Sequence, residues 1–229
     1  MKLARHDIIG AHKNKPGLVV GHGPSFNKVI DQYDKYKEKF IIIETNDWYS
    51  FHETAPQYWL MANNVMTIKT EVDKINSNLS TKLLYANSVD LTSEKWRDSH
   101  IKANYFPYFE RGMHGPNDIR KILSEYSGLK SRYKGVGTSV VHSLAFSVVM
   151  GCNPIYICGV DLDYKKGFAK HNSRTKLANY RPNDLTDFYH VTLDAFRIIK
   201  EHADYLGVDI FVTHGNPTYG IFEQKTLEV

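Results

Sequence analysis

The sequence predicts an α/β protein with a Rossmann-like, mostly parallel sheet and helices on both faces, formed as one nucleotide-binding domain over residues 1–229. Three observations carry this. Short apolar runs alternate with helix-like segments from end to end, the pattern of βα units around a parallel sheet. Small or polar residues follow the clearest runs directly: Gly21-His-Gly-Pro-Ser25 after the first and Thr45-Asn46-Asp47 after the second. The segment from Thr138 to Met150 is apolar nearly all round, as a helix buried against a sheet must be.

In chain order, Leu18–Val20 is a short buried strand ending in a tight turn, and Asn27 to Lys37 follows as a helix. Phe40–Glu44 is β-branched and bounded by a polar turn, so it reads as a second strand pairing parallel with the first. Tyr58–Met61, Lys82–Tyr85 and Ala103–Tyr105 supply further strands, with a helix near Ile68 to Ile75. Pro116 stands at the first position of a helix running to Leu123, and Gly151 ends the buried helix. Ile155–Cys158 is a strand with an acidic end, and residues 165–185 are rich in Lys, Asn and Arg, a candidate lid. Thr192 to Leu206 reads as an amphipathic helix stopped by Gly207, and Asp209–Val212 as the last strand.

Composition excludes several classes. With 42% hydrophobic, 13% aromatic and 24% charged residues the chain folds instead of remaining disordered. No apolar run approaches the roughly 18 to 20 residues that span a bilayer, and the charged N-terminus does not resemble a secretory leader, so a cytoplasmic protein is expected. Cys152 and Cys158 lie in apolar surroundings and read as inert core thiols. A net charge of +4 suits an anionic ligand, but the lysines form no stripe, so nucleic acid is not expected as a partner. A homo-oligomer is compatible with the sequence.

In open α/β sheets, ligands sit outside the carboxyl ends of the strands. Gly21 and Gly23 allow close backbone approach there, and Ser25 can cap the next helix near an anion; a plain strand-to-helix turn accounts for the same residues. Asn46 and Asn63 follow the second and third strands and carry donors and acceptors suited to a base or ribose, or to ordinary turns. Thr138 and Ser139 open the buried helix, where hydroxyls and free N–H groups can hold phosphate oxygens or simply cap the helix. Asp161 and Asp163 form an Asp-x-Asp pair able to share a divalent cation, with Tyr164 beside it. His171 and His190 flank the lid, and either could act as a general base or be a surface residue.

Taken together, Gly21–Ser25, Thr45-Asn46, Gly137-Thr-Ser139 and the block Met150-Gly-Cys-Asn-Pro through Asp161-Leu-Asp-Tyr164 resemble the bacterial sialyltransferases of glycosyltransferase family 42. They equally resemble a related family that includes archaeal 6-hydroxymethylpterin pyrophosphokinases. The resemblance covers most of the chain, is strongest from Gly137 to Tyr164 and weakest in the middle third. The first family implies a nucleotide-activated sugar donor, a CMP-sugar among the candidates, and a sugar or glycan acceptor. Gly23, Ser25, Asn46 and Asn63 or Asn64 would then contact the nucleotide, with Gly21 and Asp161 also at the nucleotide site, Thr138, Ser139 and Tyr164 would meet the leaving phosphate, and His190 would be the base. His22 stands where that family has Asn, and the acidic pair is nearer the second family, which implies ATP, Mg held by Asp161 and Asp163, a pterin-like acceptor and His171. A non-catalytic nucleotide-binding protein is the third expectation.

Overall fold

The computed structural model describes residues 1–62, 72–78, 80–86, 102–108, 117–130, 132, 138–162, 182–214 and 220–228. Among the described residues eight strands form one sheet: β1 (Gly17–Val20), β2 (Ile41–Thr45), β3 (Tyr58–Met61), β4 (Lys82–Ala86), β5 (Asn104–Tyr108), β6 (Ile155–Cys158), β7 (Ile210–Val212) and β8 (Glu223–Gln224). Their order is β5-β4-β3-β2-β1-β6-β7-β8, and every pairing is parallel. The expected mostly parallel sheet is thus parallel throughout.

Parallel strands are covered on both faces, and the central ones read as continuous apolar runs for that reason. All four residues of β1 are buried. Val19, Ile43, Leu60, Leu84, Ile155, Ile157, Ile210 and Val212 point to one face, where they pack with α3 (Ile119–Ser127), α4 (Ser139–Val149) and α5 (Pro182–Tyr205). Leu18, Val20, Ile42 and Cys158 point to the other, under α1 (Tyr33–Lys39), while Trp59, Met61, Leu83 and Tyr85 pack with Ile75 of α2 (Val72–Ser77). Ten of the eleven residues of α4 are buried, which is why its sequence lacks a polar face.

Several expected boundaries shift. The helix expected over 27–37 is two 3₁₀ turns, Pro24–Lys28 and Ile30–Gln32, followed by α1. Phe26 and Val29 are buried three residues apart, a spacing the tighter 3₁₀ turn matches. β5 extends to Tyr108 across Pro107; as the sheet's edge strand it tolerates the missing donor. The last helix begins at Pro182 instead of Thr192, so the end of the 165–185 segment is helical and the remainder of it lies outside the described residues. β8 had no counterpart among the expected strands. Both cysteines are buried and free, as expected, and burial pushes the Cys152 thiol up to about 11 and that of Cys158 well above its ordinary value. Among the described residues no helix is long and apolar enough to cross a membrane.

Candidate functional site

The strand order reverses beside β1: β2 to β5 extend to one side of it and β6 to β8 to the other. The connections after β1 and after β6 lead to opposite sides of the sheet, a topological switch point, and the carboxyl ends of the strands beside such a point are where these folds bind ligands. The turn Gly21–Ser25 leaves β1 at this point and Gly159–Asp161 leaves β6.

The two loops touch backbone to backbone. The Gly21 and Gly23 amides donate to the carbonyls of Cys158 and Gly159 at 2.9 and 2.8 Å, which prolongs the β1–β6 ladder past the strand ends. Gly159 has a φ of +66°, and a Cβ there would stand 1.9 Å from the Gly21 carbonyl oxygen; one on Gly23 would stand 2.3 Å from Oδ2 of Asp161. The close approach that the two glycines permit is thus to the β6 loop. Ser25 does not cap the helix; Gly23 holds that position and Pro24 is the first residue inside. Ser25 instead donates both its backbone N–H and its hydroxyl to Asp161 Oδ2, each at 2.9 Å. The anion at this turn is the protein's own carboxylate, a charge-assisted arrangement at a helix N-terminus.

On the other side of Gly21 lies the first turn of α4: a Cβ on Gly21 would stand 2.9 Å from Cγ2 of Val140. Asn46, after β2, reaches the same turn. Its Nδ2 donates to Ser139 Oγ at 3.1 Å, its Oδ1 accepts from the Ala62 amide at 3.1 Å, and its carbonyl accepts from the Trp59 indole at 2.6 Å. Asn46 adopts φ +46°, a left-handed conformation that Asn tolerates better than most residues. Thr138 is the N-cap of α4 but makes no capping bond, and its Oγ1 is buried without a partner among the described residues. The start of α4 thus brings helix-terminal donors and a hydroxyl beside the carboxyl ends of β1 and β2, with no acidic residue in its first turn.

Beneath the turn sits a polar cluster that the sequence did not reveal. Glu44, fully buried in β2, lies 2.8 Å from His22 Nε2 and 3.0 Å from His52 Nε2, and it accepts a 2.5 Å hydrogen bond from the Tyr33 hydroxyl. Rings enclose it: His22 stacks on Phe51 at 4.1 Å and His52 on Tyr33 at 3.8 Å. Burial alone would raise the Glu44 carboxyl, but His52 and His22 together hold it down at about 2. Burial and the Glu44 charge raise the Tyr33 phenol well above its ordinary value. The one available signal was a carboxylate closing an otherwise apolar strand, since a buried charge requires a partner.

His214 at the end of β7 was also missed. Its Nδ1 lies 3.0 Å from the Thr213 hydroxyl. Burial and the nearby Lys28 ammonium lower its pKa, opposed by Asp161. Of the expected site residues, Gly21, Gly23, Ser25, Asn46, Thr138, Ser139, Asp161 and His190 are described, and all but His190 gather around the carboxyl ends of β1, β2 and β6. His190 is exposed on α5, its ring 5.6 Å from that of Tyr189. Asn63, Asn64, Asp163, Tyr164 and His171 lie outside the described residues. Among the described residues no group of three His, Cys, Asp or Glu side chains could hold a metal.

A family model described as 6-hydroxymethylpterin diphosphokinase MptE-like matches residues 2–167. Among curated proteins no match was found. The fold is similar to that of the sialyltransferase CstII from Campylobacter jejuni, solved with the substrate analogue cytidine 5'-monophosphate: 15% identity, 94% of this chain and 86% of that one, TM-score 0.53. A second structure of that sialyltransferase, also with CMP, gives 16% identity over 93% and 87% of the two chains at a TM-score of 0.56. The Maf glycosyltransferase from Magnetospirillum magneticum AMB-1 matches at 15% identity and a TM-score of 0.55 over 96% of this chain, which spans 35% of that larger protein.

Proposed function

The chain belongs to the 6-hydroxymethylpterin diphosphokinase MptE-like family, and from that premise we propose that it is a transferase that binds a nucleotide-activated sugar, of the CMP-sugar type, at the carboxyl ends of β2, β1 and β6. The observation that carries this is the Asn46–Ser139 contact, which joins the end of β2 to the start of α4 beside the switch point. A nucleotide lying there would meet Asn46 with its base or ribose and the start of α4 with its phosphate. Sialyltransferase structures of the same fold hold CMP, which supports a cytidine nucleotide as the donor.

In this reading the acceptor hydroxyl attacks the anomeric carbon, the bond from that carbon to the phosphate oxygen breaks, and negative charge grows on the departing nucleotide. Thr138, Ser139 and the α4 N-terminus stand where that charge develops, and Tyr164 would add a donor. Asp161, engaged by Ser25, fixes the shape of the turn instead of touching the donor. His190 or His171 would take the acceptor proton.

Family membership favours a second reading, Mg-dependent transfer of diphosphate from ATP to a pterin-like acceptor. The donor set for Mg is small: Asp161 Oδ2 is engaged by Ser25, which leaves Oδ1 as the oxygen to hold it, with Asp163 as the second ligand. Mg commonly takes one or two carboxylates with substrate phosphates, so these residues suffice. Calorimetric titration with CMP, CDP, ATP and GTP, each with and without Mg, separates the readings. Metal-independent binding of cytidine nucleotides supports glycosyl transfer. ATP binding that requires Mg and disappears in Asp161→Asn refutes it in favour of diphosphate transfer.

A further inference from the structure

The 3₁₀ turns 24–28 and 30–32 and α1 make one helical run, and Lys28, Gln32, Lys35, Tyr36 and Lys39 line a groove along it. His214 after β7 and Thr226 and Leu227 after β8 line it as well. The groove is open to solvent, with a volume of about 690 Å³, within the range of small-molecule sites.

Its charge is unbalanced. Lys74, Lys121 and Lys200 each meet a carboxylate. Lys28, Lys35 and Lys39 form no ion pair among the described residues, and Glu38 is the one acidic residue of the lining. Three ammonium groups against one carboxylate leave two positive charges facing a shared space. Like charges held together in a concavity repel one another, and an anion relieves that repulsion.

The groove also joins the candidate site. Lys28 closes the 3₁₀ turn that begins at Pro24 in the Gly21–Ser25 turn. His214 follows β7, the strand next to β6, Asp161 follows β6, and His214 is within electrostatic reach of both Lys28 and Asp161.

We propose that this groove is a second-substrate site that binds a phosphate-bearing ligand, a diphosphate or a phosphomonoester, alongside the nucleotide. Calling it the second substrate rests on the nucleotide-transferase reading; the anion site itself stands on the lysines and the cavity. Gln32 and Tyr36 supply neutral polar groups between the cations, a lining suited to an anion carried on an organic body.

The test is calorimetry on the full chain with inorganic pyrophosphate and with glucose 1-phosphate, repeated with saturating CMP and with the variants Lys35→Gln/Lys39→Gln and Lys35→Glu/Lys39→Glu. Both substituted residues are exposed on the helical run, and thermal melts confirm folding. The wild type is expected to bind at least one probe. The glutamine variant weakens that binding severalfold and the glutamate variant at least about tenfold, while CMP affinity stays unchanged. Preference for pyrophosphate identifies a diphosphate ligand, and preference for glucose 1-phosphate a phosphomonoester. No binding of either probe at about 10 mM, equal binding by the variants, or displacement of the probe by CMP overturns the proposal. Probe binding without any CMP binding would defeat the nucleotide reading and leave the anion site standing.

Discussion

Asp161 and Ser25, 136 residues apart in sequence, are joined by two hydrogen bonds of 2.9 Å that converge on a single carboxylate oxygen. The pairing closes the loops from β1 and β6 on each other, so it sets the shape of the protein surface at these strand ends. Ser25→Ala removes one of the two donors and should cost about 1 kcal/mol. Asp161→Ala leaves both donors unpaired and removes the charge from a helix N-terminus, and should cost about 2 to 3 kcal/mol. Urea denaturation of the two variants checks the order; equal losses would mean that the carboxylate is not the anchor.

Gly159 is the tightest point of the site. Alanine there would have to hold φ +66° and place its Cβ 1.9 Å from the Gly21 carbonyl oxygen, a backbone atom that a rotamer change cannot move aside. Gly159→Ala should therefore force the loops apart at a cost of about 2 to 4 kcal/mol, read as a fall in melting temperature, and should abolish nucleotide binding in whatever protein remains folded. Alanine at Gly128, where nothing lies within 4 Å, serves as the positive-φ control and should cost only about 1 kcal/mol.

Asn46 and Ser139 should behave as one unit. Each single alanine substitution breaks their 3.1 Å bond, so a nucleotide that needs the bonded arrangement is weakened about as much by either change as by both. A double-mutant cycle on CMP affinity checks this. Fully additive losses would show that the two residues act separately.

Glu44 makes stability depend on pH. Its carboxyl lies at about 2 in the folded protein against an ordinary value of 4.5, so between these values the unfolded chain binds the proton and the folded chain does not. The contribution is fully present above about pH 4.5 and is lost as pH falls towards 2. For this fully buried group it amounts to about 3 kcal/mol. Glu44→Gln should flatten the stability profile across that interval, which denaturation at a series of pH values would reveal. An unchanged slope would mean that other carboxylates carry the acid limb.

The strands were legible because their physics is local. Leu18–Val20, Phe40–Glu44 and Ile155–Cys158 are short, apolar and bounded by turn residues, and a parallel sheet needs such runs on its buried strands. The all-round apolarity of Thr138–Met150 likewise has one cause, burial on every side. β8 was not legible because Glu223 and Gln224 are both exposed and give no apolar signal.

The candidate site was legible where it depends on strand ends. Gly21, Gly23, Ser25, Asn46, Thr138, Ser139 and Asp161 all follow a strand or open a helix, and position alone marked them. What each one touches was not legible: that Ser25 serves Asp161, or that His22 turns inward to Glu44, depends on contacts between segments far apart in sequence. His214 was missed because it follows a three-residue strand and carries no motif of its own.

The most direct test of the nucleotide site is an amide chemical-shift titration of the ¹⁵N-labelled, deuterated chain with CMP. Saturable shifts are expected at Gly21, Gly23, Asn46, Ser139 and Val140, with α2 and the β4–β5 edge unmoved. Shifts confined to residues away from the carboxyl ends of β1, β2 and β6, or no shifts with CMP, ATP or ATP–Mg, would contradict it.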